Sequence, residues 1–226
     1  MRTAIVTGVS RGLGDALVTE LLAHDWQVVG VARTTPSRVA HGGYRFIRCD
    51  LADTATLADT MLTAFEGIAA SRPESVCLVN NAATIDGVGV LGALAPADIA
   101  TAIAVNLVAP TVLSNLFCNV FDDDAIERRI INVSSGAAES TLAGESLYCI
   151  AKAGLEMLTR SLAAEHSSGR FRAITVRPGI IDTAMPATPS SQPLITRPAP
   201  STNPNGSLRS RELSNFAPCE FGFVVS

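Results

Sequence analysis

Aromatic residues are scarce in this chain (5%, with a single tryptophan), and so are charges (17%), which never gather into clusters of one sign. A formal charge of −4 without Lys/Arg runs excludes nucleic acid and the anionic membrane surface as expected partners. No uninterrupted apolar stretch reaches the about twenty residues that a membrane helix needs. The five cysteines (Cys49, Cys77, Cys118, Cys149 and Cys219) form no Cys-x-x-Cys pair and are odd in number, so reduced, buried thiols are expected. His24, His41 and His166 stand far apart with no ligand-like spacing, and no metal site is expected. The N-terminal run Met1-Arg2-Thr3-Ala4-Ile5-Val6-Thr7-Gly8 enters a strand pattern without a signal-peptide core, which reads as cytoplasmic. What is present is 226 residues, 47% of them apolar, enough for one domain with a substantial core.

Short β-branched runs alternate with longer stretches of helical period. Strands are predicted at 3–8, 27–33, 44–50, 75–81, 129–134 and 172–177, and helices at 12–24, 54–70, 96–120 and 147–165. Nearly continuous apolar runs such as Ala4-Ile5-Val6 and Ile130-Ile131-Asn132-Val133 predict burial on both faces, hence an α/β fold with a doubly wound parallel sheet of Rossmann type. Pro110, inside the third helical stretch, predicts a kink or a break. From Pro186 the character changes: seven of the twelve prolines lie there, among many Ser, Thr and Asn. The reading is a dinucleotide-binding and catalytic domain over residues 1–185, then an irregular, Pro-rich segment over 186–226.

Tyr148 and Lys152 stand four residues apart at the start of a helical pattern, and Ser135 precedes the tyrosine by thirteen positions. Residues at i and i+4 share a helix face, so phenol and ammonium can enter one cleft. A phenol with a reference pKa of about 10 exchanges protons poorly at neutral pH, and a neighbouring cation is expected to lower that value. A serine hydroxyl from a strand end could hold a carbonyl or alcohol oxygen. This set suits carbonyl/alcohol redox chemistry, although Tyr-x-x-x-Lys alone also describes an ordinary surface pair.

The first strand runs into Thr7-Gly8-Val9-Ser10-Arg11-Gly12-Leu13-Gly14, and a helix follows at once. Glycines let the backbone turn sharply and approach a pyrophosphate, whose charge a helix N-terminus stabilises. The second strand ends Val31-Ala32-Arg33-Thr34, without the acidic residue that would grip a ribose 2′-hydroxyl. Arg33 and Arg11 instead suit a 2′-phosphate, so NADP(H) is the expected cofactor. Asp50, after the third strand, is a candidate partner for the adenine amino group; a helix cap is the other reading.

Taken together, these segments resemble the short-chain dehydrogenase/reductase family over about residues 3–185. The matching motifs are Thr7–Gly14, Asp50-Leu51, Asn80-Asn81-Ala82-Ala83, Val105-Asn106-Leu107, Ser134-Ser135, Tyr148-x-x-x-Lys152 and Arg177-Pro178-Gly179 followed by Thr183. The resemblance implies that Tyr148 is the general acid, that Lys152 lowers its pKa and holds the nicotinamide ribose, and that Ser135 orients the substrate oxygen. It implies that Asn106 anchors a water leading from Lys152 to solvent, and that Asn81 and Ala82 shape the cleft beside the adenosine ribose. Ile181 and Thr183, after the Pro178-Gly179 turn, would meet the nicotinamide carboxamide.

Ala83 stands where the family usually has Gly, and residues 186–226 match the family's substrate lid poorly, as a divergent or an incomplete one. The strand-end pattern most resembles reductases similar to sepiapterin and benzil reductases. The expected activity is NADPH-dependent reduction of a small, apolar ketone or diketone, since Gly136, Ala137, Ala138 and Leu142 flank the catalytic motif. The alternatives are a ketoacyl carrier-protein reductase, or a non-catalytic NADP-binding protein with a defective lid. Family members pair through the helices at 96–120 and 147–165, so a homodimer or homotetramer is expected, with Leu116, Phe117, Leu155 and Leu158 among the apolar residues offered to it.

Overall fold

A computed structural model describes residues 1–36, 42–166 and 169–178. All six predicted strands form: β1 (Arg2–Thr7), β2 (Gln27–Ala32), β3 (Tyr44–Arg48), β4 (Ser75–Asn80), β5 (Glu127–Val133) and β6 (Phe171–Val176). They make one parallel sheet in the order β3-β2-β1-β4-β5-β6. The strand order reverses between β1 and β4, and in such sheets the crevice beyond the strand ends at that point is where ligands bind. The helices are α1 (Gly12–Ala23), α2 (Thr54–Ala70), α3 (Pro96–Ile103), α4 (Ala109–Val120) and α5 (Ser146–Glu165). The Pro-rich segment from residue 186 lies outside the described residues.

Register explains the core. Val29, Ile5, Leu78 and Ile130 are in-register partners across β2, β1, β4 and β5, and all four are buried against residues of α2 and α4. Phe65 of α2 meets Phe117 of α4 and Phe121 just beyond it, with ring centroids 4.9–6.1 Å apart. Such tilted and edge-to-face pairs add to plain area burial. Alternate positions Ala4, Val6, Val28 and Cys77 are also buried, while α1, with Val18 and Leu21 buried, packs on β1 and β2. Burial on both faces therefore holds for β1, β2 and β4. In β5 and β6 burial alternates, and Ile174 and Val176 are exposed. Cys49 and Cys77 are buried free thiols, and burial raises the pKa of Cys49.

Pro110 does not break its helix, which continues from Pro96 to Val120. A wide π turn, Ala104–Val108, joins α3 to α4, and the Ala109 amide bonds back to the Ala104 carbonyl, five residues away. Proline lacks the donor for an i→i−4 bond, and its ring would crowd the carbonyl four residues back. Widening the helix just ahead of Pro110 relieves both problems. By length and composition alone the joined helix Pro96–Val120 is apolar enough to cross a membrane. Ala109, Leu113 and Phe117 are buried in the core beside the sheet. Phe117 and Leu155 are buried, whereas Leu116 and Leu158 are half-buried and pack in part against the core.

Candidate active site

The glycine turn leaves β1 and enters α1. Gly8 has φ +74°, and a Cβ there would lie 2.7 Å from the Ala82 Cα; one on Gly14 would collide with the Gly8 carbonyl. The ends of β1 and β4 are therefore in backbone contact, and only glycine fits. Thr7 fastens them. Its hydroxyl accepts from the Asn81 and Ala82 amides, both at 3.0 Å, while Asn81 Nδ2 donates to the Thr7 carbonyl at 2.9 Å and to Gly8 at 3.3 Å. Asn81 thus shapes the cleft by holding the turn itself.

Arg11 occupies the N-cap of α1 in extended backbone and contributes no side-chain cap, leaving the first-turn amides without a side-chain acceptor. Ser10, Arg11 and Gly12 are exposed on the rim, and Leu13 is half-buried. Arg33 is exposed just past β2, and neither arginine has a hydrogen-bond or ion-pair partner among the described residues. Asp50 is exposed and its Oδ1 accepts from the Ala52 amide at 3.0 Å. It does not cap α2: that residue is Asp53, which accepts from the Thr56 amide at 3.2 Å and the Thr56 hydroxyl at 2.6 Å. Leu51, beside Asp50, is buried. A glycine turn that leads straight into a helix N-terminus suits the pyrophosphate of a dinucleotide.

The second half of the site lies where β5 ends against α5. Ser135 is half-buried; its Oγ accepts from the Ala137 amide at 3.2 Å, and its hydroxyl acts to lower the Tyr148 pKa. Lys152 is 2% exposed; its Nζ donates to the Val133 carbonyl at 2.7 Å and lies 5.5 Å from the Tyr148 ring centroid. Burial brings the ammonium down to about 8. The phenol moves the other way. Burial raises the Tyr148 pKa, the Ser135 hydroxyl partly offsets this, and Glu145 and Cys149 add to the rise. The ammonium is turned to the Val133 carbonyl beneath the ring face.

Asn106 sits in the π turn, 1% exposed. Its carboxamide grips Thr84, accepting from the amide and donating to the carbonyl, both at 2.8 Å. The side chain thereby clasps the loop after β4. Pro178 follows β6 and is half-buried, whereas Gly179, Ile181 and Thr183 lie outside the described residues. The structure thus brings Ser135, Tyr148 and Lys152 together at the ends of β5 and α5, and the glycine turn together with Asn81 and Ala82 at the ends of β1 and β4.

The model of the short chain dehydrogenase family matches residues 2–193. The chain belongs to the short-chain dehydrogenase family. A benzil reductase ((S)-benzoin forming) of Bacillus cereus is 30% identical to it over 195 residues, covering 83% of this chain and 78% of the relative. A sepiapterin reductase of Meriones unguiculatus is 32% identical over 197 residues, covering 80% and 74%. Among solved structures, a metagenomic short-chain oxidoreductase in complex with NADP shares 34% identity at a TM-score of 0.68, covering 80% of this chain and 82% of that one. A 4-hydroxyisoleucine dehydrogenase complexed with NADH shares the fold (21% identity, TM-score 0.69, covering 81% and 78%). As a short-chain dehydrogenase this chain is an oxidoreductase that uses a nicotinamide cofactor.

Sequence reasoning named Ser135, Tyr148 and Lys152, which the structure brings together, but missed several residues that brace the cleft. Thr7, Thr84, Ser134, Glu156 and Arg177 received no role. A signal for one of them was available: Glu156 continues the four-residue spacing of Tyr148 and Lys152.

Proposed function

We propose that this short-chain dehydrogenase is an NADPH-dependent reductase of a small, apolar ketone or diketone, with Tyr148 as proton donor. The observation that carries the reading is the convergence of Tyr148, Ser135 and Lys152, with the serine hydroxyl acting on the phenol and the ammonium beneath its ring. When bound, the cofactor supplies a hydride to the carbonyl carbon. As the C=O bond becomes CH–O⁻, Tyr148 gives its proton to the oxygen and Ser135 donates a hydrogen bond to the same atom, stabilising its developing charge. A phenol whose pKa is raised stays protonated at neutral pH, which suits reduction. The Lys152 cation lies close enough to favour the phenolate left behind.

The uncapped first turn of α1 would hold the pyrophosphate, with Arg11 and Arg33 on the 2′-phosphate. The relative solved with NADP and the missing carboxylate after β2 favour NADPH. The substrate class rests on the small apolar residues after Ser135 and on the relatives that are benzil and sepiapterin reductases. The test is turnover of NADPH and of NADH against a panel of diketones and ketones, repeated with Tyr148→Phe. A general acid contributes about a hundred-fold or more, so Tyr148→Phe should reduce turnover at least that much while NADPH still binds. A variant keeping more than about a tenth of the rate would show that Tyr148 is not the proton donor.

A further inference from the structure

Helix α5 meets the end of β5 at three successive residues. Lys152 Nζ donates to the Val133 carbonyl, the Ser134 hydroxyl donates to Glu156 Oε1 at 2.8 Å, and Tyr148 is near enough to Ser135 for the serine hydroxyl to lower its pKa. The three helix residues share one face at four-residue spacing. Glu156 also binds the end of β6. Arg177 donates to it through Nε (to Oε1) and Nη2 (to Oε2), both at 2.6 Å, and its Nη1 pairs with Glu139 Oε1 at 2.8 Å. Glu139 closes the short turn Gly136–Ala138 that follows Ser135, and Arg177 immediately precedes Pro178. One carboxylate therefore joins the strand carrying Ser135 to the strand leading to the Pro178 turn. An exposed ion pair alone would contribute little to stability. A bidentate fork on a mostly buried carboxylate that also accepts from a serine instead fixes geometry.

We propose that Glu156 is a positioning residue: by bridging Ser134 and Arg177 it sets Ser135 against Tyr148 and fixes the chain where it leaves β6. The catalytic part of this inference rests on the function proposed above; the geometric part is measurable without turnover.

The chain has two tyrosines, Tyr44 and Tyr148, so Tyr44→Phe leaves Tyr148 as the only phenol. Its ionisation can then be followed by ultraviolet difference absorption. The Ser135 hydroxyl holds the Tyr148 pKa down, and neither Glu156 nor Arg177 is among the charges acting on it. In that background, loosening the bridge with Glu156→Gln or Arg177→Met should raise the Tyr148 midpoint by about half a pH unit or more. A direct charge effect would move these two variants in opposite directions, whereas a positioning effect moves both upward. The double variant should shift no further than the larger single one, as expected of residues acting as a unit.

With Tyr44 restored, each substitution should lower kcat about ten-fold or more while the KM for cofactor changes less, and Arg177→Lys should restore part of the loss. Circular dichroism and thermal unfolding identify variants that keep the fold, and Arg177→Lys serves as the milder probe should Arg177→Met fail to fold. An unmoved phenol midpoint, opposite shifts, or an unchanged kcat in folded variants would overturn the proposal. Should the midpoint move as expected in a protein that reduces no carbonyl, the proposed function falls and the Glu156 bridge stands.

Discussion

Asn106 holds Thr84 by both ends of one peptide-like face, its Oδ1 taking the Thr84 amide proton and its Nδ2 bonding the Thr84 carbonyl at equal distances of 2.8 Å. The π turn delivers this side chain inward, and the loop after β4 is tethered to the helix that follows it. Asn106→Ala leaves two backbone groups without their partner and should cost about 1–3 kcal/mol for each group left unsatisfied. Asn106→Asp keeps the acceptor but loses the donor, so its loss should be smaller. Denaturant unfolding checks both; an unchanged midpoint for Asn106→Ala would show that the clasp contributes nothing.

Arg33, exposed and unpaired beyond β2, should decide between the two nicotinamide dinucleotides. Losing a charge-assisted contact costs about 1.5–3 kcal/mol, roughly ten-fold or more in affinity. Arg33→Asp should therefore weaken NADPH far more than NADH, as read by fluorescence titration. Equal affinity of the unsubstituted protein for both would remove the basis for the preference.

The buried ammonium predicts two dependences on pH. In the folded chain Lys152 loses its proton near about 8, below its ordinary 10.5. Reduction should be flat through neutral pH and fall as pH rises through about 8, because the cation is lost while Tyr148, its own pKa raised, remains an acid. Lys152→Arg should move that limb to higher pH. For stability, the unfolded chain binds more protons than the folded one between about 8 and 10.5, so stability should rise with pH across that window relative to Lys152→Met. Below about 8 both states carry the charge, and the two proteins should show no difference in slope. Thermal melts across the window check the sign.

Self-association should use the exposed apolar residues of α5 and of the π turn. Ile150 and Met157 of α5 are 53% and 54% exposed, and Val108 is 38% exposed. Ile150 and Met157 lie seven residues apart, on one helix stripe. A second copy related by two-fold symmetry would cover this stripe in an isologous contact. Light scattering at micromolar concentration should give at least a dimer, and Met157→Arg should shift it toward monomer. A monomeric mass for the unsubstituted chain would dismiss the interface.

Elements were legible because each strand and helix carries its own local signal. Strand ends were predicted within two residues, and the α2 bounds coincide with the prediction. What sequence could not supply was which neighbour covers a face. Leu116, Phe117, Leu155 and Leu158 have the right period for an interface, but the sheet and neighbouring helices already bury or partly cover them. The same limit applied to charges. A four-residue spacing correctly joined Tyr148 to Lys152, yet the sign of the phenol shift depends on depth of burial. Asp50 and Asp53 are equally plausible caps in the sequence, and only the path of the backbone selects Asp53.

The widened turn at Ala104–Val108 also sets the angular phase of everything after it. Each residue of an α-helix advances about 100° around the axis, so deleting one residue from this turn would straighten the helix and rotate α4 by about that amount against α3. Leu113 and Phe117 would swing off the sheet, and Pro110 would meet the carbonyl clash that the loose turn now avoids. The extra residue is therefore fixed from both directions: Asn106 needs it to reach Thr84, and the aromatic cluster needs it to stay in frame. Neither an insertion nor a deletion here should be tolerated as a length change in a surface loop would be.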